Sequence, residues 1–431
     1  MPPAERISMK TFALIVFAVT YAGMLLLPRW RAPVALTAAA AFLISGLVPL
    51  QAVPDVVDWN VLGMLAGTMG TVFLFIRSGT PARLADRMVL ALPDVRWILV
   101  SLALFAGLVS AFIDNVATVL MLAPIGLAIA KRLNISPVAP VLAIAISSNL
   151  QGAATLVGDT TSILLGSYVG MDFADFFVWH GRPGMFWVVQ AGALATIPVL
   201  MYLFRGERGK AHLTELTPVT DYVPTALLLG TVAALIVASF FPEKPEATNG
   251  ILCLLIFFIG LVWDCVKNQS TDVAREAILS IDYTTLLLLA GLFIVIDGIS
   301  RAGVIKDISS MFVRLGGESL FLTYTMIVWF SVLISAFVDN IPYVAAMLPV
   351  VGGIVSAMGG TDGSVLYFGL LAGATLGGNL TPIGASANIA AGGILRKEGY
   401  PVSLKEFLRM GVPFTLTAVT TGYVLIWLLY A

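Results

Sequence analysis

The sequence predicts an all-α polytopic membrane protein built as an inverted repeat. Each half holds five transmembrane helices and one re-entrant hairpin, and some helices are discontinuous inside the membrane. Three observations predict it. Of 431 residues, 59% are apolar and 11% charged, about half the charge of an average soluble chain. Apolar stretches of about 17 to 20 residues recur from Phe12 to Tyr430, each long enough to cross a hydrocarbon core. The run "SAFIDNVATVLMLAP" (Ser110 to Pro124) returns as "SAFVDNIPYVAAMLP" (Ser335 to Pro349). Lipid offers backbone groups no partners, so a bundle of helices is the architecture that fits.

In order, the spans are predicted at 11–27, 33–51, 59–76, a hydrophobic pair within 97–130, 137–170 with an interruption, and 186–204. The second half gives 222–241, 249–265, 281–298, a pair within 319–361, 364–396 with an interruption, and 411–430. The polar segment "RGERGKAHLTELTPVTDY" (Arg205 to Tyr222) separates them. The domains are therefore 1–204, a cytoplasmic linker at 205–221, and 222–431. The N-terminal apolar run lacks a small-residue cleavage site and reads as a span, not as a cleavable signal. Placing both termini outside gathers most Lys and Arg into the inner loops, the expected bias.

The repeat extends past the opening motif. "DWNVLGMLAGTMGTVFLFIRSG" from Asp58 aligns with "DYTTLLLLAGLFIVIDGISRAG" from Asp282, pairing Gly67 with Gly291 and Gly79 with Gly303. "TLVGDTTSI" (Thr155 to Ile163) matches "TPIGASANI" (Thr381 to Ile389). Five crossings plus a hydrophobic pair that returns to its own side force the second half to be inverted. Inverted repeats with broken helices are the build of secondary transporters.

From Trp97 to Ala130, Asp114 is the one charged residue. About 34 residues are too many for one span and few for two, so a hairpin with its tip near Asp114 and Asn115 fits. In the second copy, around Asp339 and Asn340, the length also allows two full spans. An ionised Asp in mid-membrane costs at least about 2.5 to 3.5 kcal/mol, so something must offset it. Capping of the second arm is the bland explanation. Pairing with Lys or Arg finds few basic residues away from the span ends. A bound cation or a proton is the expected partner.

The interrupted spans complete a candidate site. Ser148, Asn149, Thr155, Gly158, Asp159 and Thr160 stand between apolar flanks in the first, and Asn379, Thr381, Gly384, Ser386 and Asn388 in the second. Gly152 and Gly158 let a helix unwind, and the freed carbonyls with these side-chain oxygens can hold Na⁺ or a polar solute. Na⁺ is expected at Asp114, Asn115, Asp159, Asp339 and Asn340. No other cofactor and no nucleic-acid partner are expected. Cys253 and Cys265 imply neither a disulfide framework nor a thiolate metal site.

"SAFIDNVATVLMLAP", "GAATLVGD", "GNLTPIGASANI" and "GYPVSLKEFLRMGVP" resemble the arsenite permease, NhaD-type sodium/proton antiporter and P-protein group of the ion transporter superfamily, whose members carry a citrate-transporter-like domain. The resemblance covers nearly the whole chain. It implies an elevator-type carrier, in which hairpins and broken helices move against a scaffold, often as a homodimer. In related dicarboxylate carriers the hairpin motif reads Ser-Asn-Thr; here those positions are Asp114, Asn115, Val116 and Asp339, Asn340, Ile341. The family's "GDPPN" reads Gly158, Asp159, Thr160, Thr161, Ser162.

Two functions follow. One is proton- or Na⁺-coupled secondary transport of an ion or a small oxyanion or arsenite-like solute. The other is sodium-coupled uptake of a di- or tricarboxylate. An intramembrane aspartyl protease expects Gly-x-Gly-Asp, which Asp159 lacks. No phosphate-binding Gly-rich loop with Lys appears, so ion gradients are the expected driving force. Trp59, Trp97, Trp179, Trp187, Trp263 and Trp427 are read as interfacial anchors. The protein is expected to be multi-pass, in the plasma (inner) membrane if prokaryotic.

Overall fold

The computed structural model describes residues 3–92, 94–132, 135–207, 216–241, 243–317, 319–359 and 362–431. The centre of the predicted linker, 208–215, lies outside the described residues.

The first half runs α1 (Pro3–Leu26), α2 (Arg31–Ile44), α3 (Val53–Val56), α4 (Trp59–Arg77), α5 (Thr80–Ala91), α6 (Val95–Ser110), α7 (Asn115–Arg132), α8 (Val138–Gly152), α9 (Thr160–Val169) and α10 (Met185–Leu203). The second half runs α11 (Val223–Ala238), α12 (Thr248–Asn268), α13 (Asp272–Leu279), α14 (Tyr283–Arg301), α15 (Val304–Gly316), α16 (Leu320–Ser335), α17 (Asn340–Ala357), α18 (Ser364–Gly377), α19 (Ser386–Lys397) and α20 (Leu404–Tyr430). The order of long, short and broken helices is the same in both. Among the described residues, seven helices are long and apolar enough to cross a membrane. The shorter apolar helices include both arms of the first hairpin and α8 and α18, which end at the interruptions.

Matching residues do matching work. Asp58 caps α4 by accepting from the Val61 N–H, and Asp282 caps α14 by accepting from the Thr285 N–H. Gly79 and Gly303 both take φ near +77° (76° and 78°), turning the chain into α5 and α15. A left-handed residue of this kind favours glycine, which has no Cβ to clash.

Close packing between the halves uses the paired glycines. α4 lies along α12, and α14 lies along α2. A Cβ on Gly67 would sit 2.4 Å from the Cys253 carbonyl carbon, and one on Gly291 would sit 2.9 Å from that of Ala35. Small residues let helix backbones approach in this way inside lipid. The opposite face of α12 exposes Ile251, Leu254, Leu255, Phe258, Ile259 and Val262. That helical spacing makes an apolar face turned to the lipid.

Most observed spans match the predicted ones, although the second, predicted at 33–51, ends at Ile44, and the short helices α3 and α13 were not predicted. α5 and α15 were not predicted as helices: each is short, amphipathic and charged, so neither reads as a span. α2 begins at Arg31, so that residue belongs to a helix and not to a loop. Trp179 is not an interfacial anchor: it is buried, and its indole N–H donates to Ser364 Oγ at 2.7 Å. It stands on the short strand β1 (Val178–Trp179), paired antiparallel with β2 (Arg182–Pro183). Trp59, Trp97, Trp187 and Trp263 are exposed, as interfacial rings are.

The second hydrophobic pair has the dimensions of the first. Its arms have 16 and 18 residues, as do α6 and α7. A 16-residue helix is about 24 Å long, short of the hydrocarbon thickness, whereas α17 is among the seven helices long and apolar enough to cross.

Candidate functional site

The tips of the two hairpins are built alike. After α6, residues 111–114 turn the chain, and Asp114 Oδ2 accepts from the N–H groups of Val116 at 3.0 Å and Ala117 at 3.2 Å. After α16, residues 336–339 do the same, and Asp339 Oδ1 accepts from the Ile341 N–H at 3.1 Å. Both aspartates therefore cap the second arm, because an N-terminal turn leaves N–H groups without helical partners.

The interruptions are also matched. A Cβ on Gly158 would meet carbonyl oxygens of Gly152, Ala111 and Ser110 at 2.6 to 2.9 Å; one on Gly384 would meet those of Gly378, Ser335 and Ala336 at 2.7 to 2.9 Å. Each break is thus pressed against the turn of its own hairpin. The hydroxyl of Thr155 donates to the Ala111 carbonyl, and that of Thr381 to the Ala336 carbonyl. Ser162 and Asn388 stitch each break to its preceding helix, donating to the carbonyls of Gly152 at 3.2 Å and Gly378 at 3.0 Å. Ser148 Oγ donates to Ser110 Oγ at 2.9 Å, tying α8 to the first hairpin.

Side-chain amides then join the halves. Asn115 donates to Asn149 Oδ1 at 2.7 Å, Asn149 to Asn379 Oδ1 at 3.0 Å, and Asn379 to the Ile146 carbonyl at 2.9 Å. Asn340 donates to Asp159 Oδ2 at 3.1 Å. The same oxygen accepts from Thr161, whose hydroxyl lies 3.0 Å from that of Thr375. Asp159 holds the place that Ala385 holds in the other half, and both residues have nearly the same extended backbone before α9 and α19. All of these amides are buried, as a satisfied polar network inside a membrane must be.

The expectation that the hairpin aspartates lack basic partners fails for Asp339. Arg31 Nη1 lies 2.7 Å from Asp339 Oδ2, and the two side chains are 16% and 4% exposed. Arg31 was invisible as a partner because it opens α2, 308 residues away in sequence. Ser386 Oγ also donates to Asp339 Oδ2, at 3.2 Å, and the Tyr21 hydroxyl donates to the Pro342 carbonyl at 2.7 Å. Among the described residues, no Lys or Arg forms an ion pair with Asp114 or Asp159.

A cavity of about 310 Å³ opens onto these tips. Asp114, Asn115, Asp159, Thr160, Asn340 and Ser386 line it, together with Thr68 of α4 and Ser280, Asp282 and Thr285 at the start of α14. Of the residues predicted for the site, Ser148, Asn149, Thr155, Gly158, Asp339, Asn379, Thr381, Gly384 and Asn388 stand behind this wall and shape it. Thr68, Ser280 and Thr285 were missed, and only the pairing of Asp282 with Asp58 pointed toward that helix end. A second cavity, of about 760 Å³, includes Asp58, Ser167, Asp172, Lys244 and Asn249. The N-terminal residues of α9 line the first cavity and its C-terminal residues line the second. Ser167 donates to Asp58, and Lys244 pairs with Asp172 at 2.5 Å, so the second cavity is crossed by polar ties.

Helix N-termini converge on the first cavity: those of α7, α9, α14, α17 and α19. Their dipoles favour negative charge, and all but α19 begin at an aspartate. No group of three or more His, Cys, Asp or Glu placed to hold a metal ion occurs among the described residues. Carbonyl, amide and hydroxyl oxygens at the breaks, with Asp114 or Asp159, are the donors suited to Na⁺, which takes hard oxygen ligands.

The family model described as CitMHS, citrate transporter, matches residues 12–373. Transporters of Mycobacterium bovis and Mycobacterium tuberculosis are 32% identical over 98% of this chain and 99% of their own length. The human P protein is 28% identical over 97% of this chain, which spans 59% of that protein. Among solved structures, the YdaH transporter of Alcanivorax borkumensis aligns over 99% of this chain and 98% of its own, with a TM-score of 0.59 and 14% identity. MtrF of Neisseria gonorrhoeae, titled as one of a class of antimetabolite efflux pumps, aligns over 93% of this chain and 85% of its own, with a TM-score of 0.55 and 14% identity.

Proposed function

As a member of the CitMHS citrate transporter family, the chain is an integral multi-pass membrane transporter, and we propose that it is a secondary carrier coupled to protons or Na⁺ through Asp114 and Asp159. The observation that carries this reading is the first cavity. It presents three carboxylates, Asp114 at a hairpin tip, Asp159 at a helix break and Asp282 at the start of α14, none in an ion pair among the described residues. Such a surface attracts a cation and discourages an anion unless the carboxylates are first neutralised.

The cargo in this reading is an ion or a small solute of the arsenite or oxyanion kind, exchanged against the coupling cation. The two halves act as an inverted repeat. The hairpins with α8, α9, α18 and α19 move as a body, elevator-fashion, against the remaining helices, and the two cavities are its alternate entrances. A homodimer of such scaffolds goes with this reading, and the mass of the protein in detergent tests it.

Uptake of a di- or tricarboxylate with Na⁺ is the second reading. It is favoured by the family's description and by α19, which meets the cavity without a carboxylate at its start. There a substrate carboxylate can take the N–H groups that Asp159 faces at α9.

Proteoliposomes loaded with arsenite, sulfate, phosphate, citrate or a dicarboxylate, under an imposed Na⁺ or pH gradient, separate these readings. Flux of any of them that ignores both gradients overturns the coupling proposed here. Flux of citrate or a dicarboxylate alone, driven by Na⁺, selects the second.

A further inference from the structure

The two hairpins are alike in backbone and unlike in charge. Both tips carry Asp-Asn, both aspartates cap the following arm, and both rest against a glycine break. Yet Asp339 is joined to a partly buried guanidinium, and Asp114 faces a cavity. The paired helices differ at one matched position, although Asn249 lines the second cavity and not the one at Asp114. α2 meets Gly291 through Ala35, and α12 meets Gly67 through Cys253. One turn before Ala35 is Arg31; one turn before Cys253 is Asn249. Repeat symmetry therefore places a neutral amide in the position that Arg31 holds. Among the described residues, the Asn249 side-chain Oδ1 is buried without a partner, and its amide nitrogen donates to Asp172 at 3.4 Å.

We propose that Arg31 is the built-in counter-cation of the second hairpin, so that Asp339 holds no exchangeable cation and the exchangeable monovalent cations, protons or Na⁺, are held at Asp114 and Asp159. This rests on the cation-coupled reading given above. The guanidinium satisfies Asp339 in place of an ion from solution, with Ser386 and the Ile341 N–H completing the set of donors. The other groups on this tip are Tyr21 of α1, bonded to the Pro342 carbonyl, and Asp159, reached through Asn340. Without Arg31, Asp339 becomes a buried anion beside Asn340, Ile341 and Ser386, which line the cavity. An anion so placed takes up a proton or Na⁺. Arg31 thereby sets the number of cations that the carrier holds.

Linkage supplies the test, because the dependence of stability on the logarithm of ligand concentration counts the ligands that the folded state binds in excess of the unfolded state. The full-length protein in detergent is melted across a NaCl series at constant ionic strength, and across a pH series without sodium. The sodium and proton arms distinguish the two ions. Arg31→Gln raises the wild-type slope by one ion, and Arg31→Lys keeps the wild-type slope. The variant Arg31→Gln/Asp339→Asn, neutral at both positions, returns to the wild-type slope and covers the case in which Arg31→Gln alone does not fold. A folded Arg31→Gln with the wild-type slope, or a double variant that has lost its slope, overturns the assignment and leaves cation coupling standing. A wild-type slope of zero in both series instead contradicts cation coupling. In that event a slope of one in Arg31→Gln upholds the role of Arg31, and a slope of zero removes both.

Discussion

Asn340 donates its side-chain amide to Asp159 at 3.1 Å, so the tip of the second hairpin is bonded to the break of the first interrupted helix. The bond joins residues 181 apart in sequence. A second chain, from Asn115 through Asn149 to Asn379, crosses in the other direction. Each half therefore completes its polar groups with those of the other, and neither half has a satisfied interior by itself.

Removing that amide tests the crossing. Asn340→Ala leaves Asp159 with Thr161 as its side-chain donor, and loss of a buried hydrogen bond costs about 1 to 3 kcal/mol. Transport in proteoliposomes is expected to fall at least about fivefold, the factor that 1 kcal/mol represents. The melting temperature in detergent is expected to fall as well. A variant with wild-type flux and melting temperature contradicts the role given to this bond.

The breaks are packed so tightly that one methyl group is decisive. Gly158→Ala and Gly384→Ala place a Cβ within 2.9 Å of backbone oxygens that cannot turn aside. Overpacking of this kind costs about 1 to 3 kcal/mol. Both variants are expected to melt lower and to lose most transport, whereas Gly393→Ala, with open space around it, is expected to melt as wild type does. Melting by intrinsic fluorescence measures all three.

Much of this architecture was legible in the sequence, for reasons that particular residues show. The hairpins were readable because Asp114 and Asp339 interrupt apolar runs and because the repeat presents each tip twice. The breaks at Gly158 and Gly384 were readable because polar and small residues crowd where lipid would reject them. Other features depend on distance in space. The partner of Asp339 lies at Arg31, and no local pattern joins them. The helix α15 was missed, since Lys306, Asp307 and Arg314 mask its amphipathic spacing as a loop. Trp179 was misread because its indole finds a buried partner, Ser364, from the other half of the chain.

The matched caps give a further contrast. Asp58→Ala and Asp282→Ala each remove an N-cap, a loss of about 1 kcal/mol. Asp282 also lines the cavity that holds Asp114 and Asp159. Both variants are expected to melt slightly lower, and Asp282→Ala is expected to change the cation concentration that gives half-maximal flux. An unchanged cation dependence for Asp282→Ala contradicts its place in the cavity.

Glycine contacts between α4 and α12 predict an ordered pair of effects. Gly67→Ala meets backbone at 2.4 Å and Gly291→Ala at 2.9 Å, so the first is expected to be the more damaging. The yield of monodisperse protein and the melting temperature rank them, and the reverse order contradicts the packing described.

Flux through Asp114→Asn measured beside wild type, in proteoliposomes with an imposed Na⁺ or pH gradient, tests cation coupling most directly. Asparagine keeps the size of the side chain and removes the charge. Wild-type flux is predicted to follow one of the two gradients, and the variant is predicted to lose gradient-driven flux by at least about a factor of ten, the effect of 1.4 kcal/mol. A folded Asp114→Asn protein whose flux follows the gradient as wild type does would contradict the assignment of the coupling cation to the first hairpin.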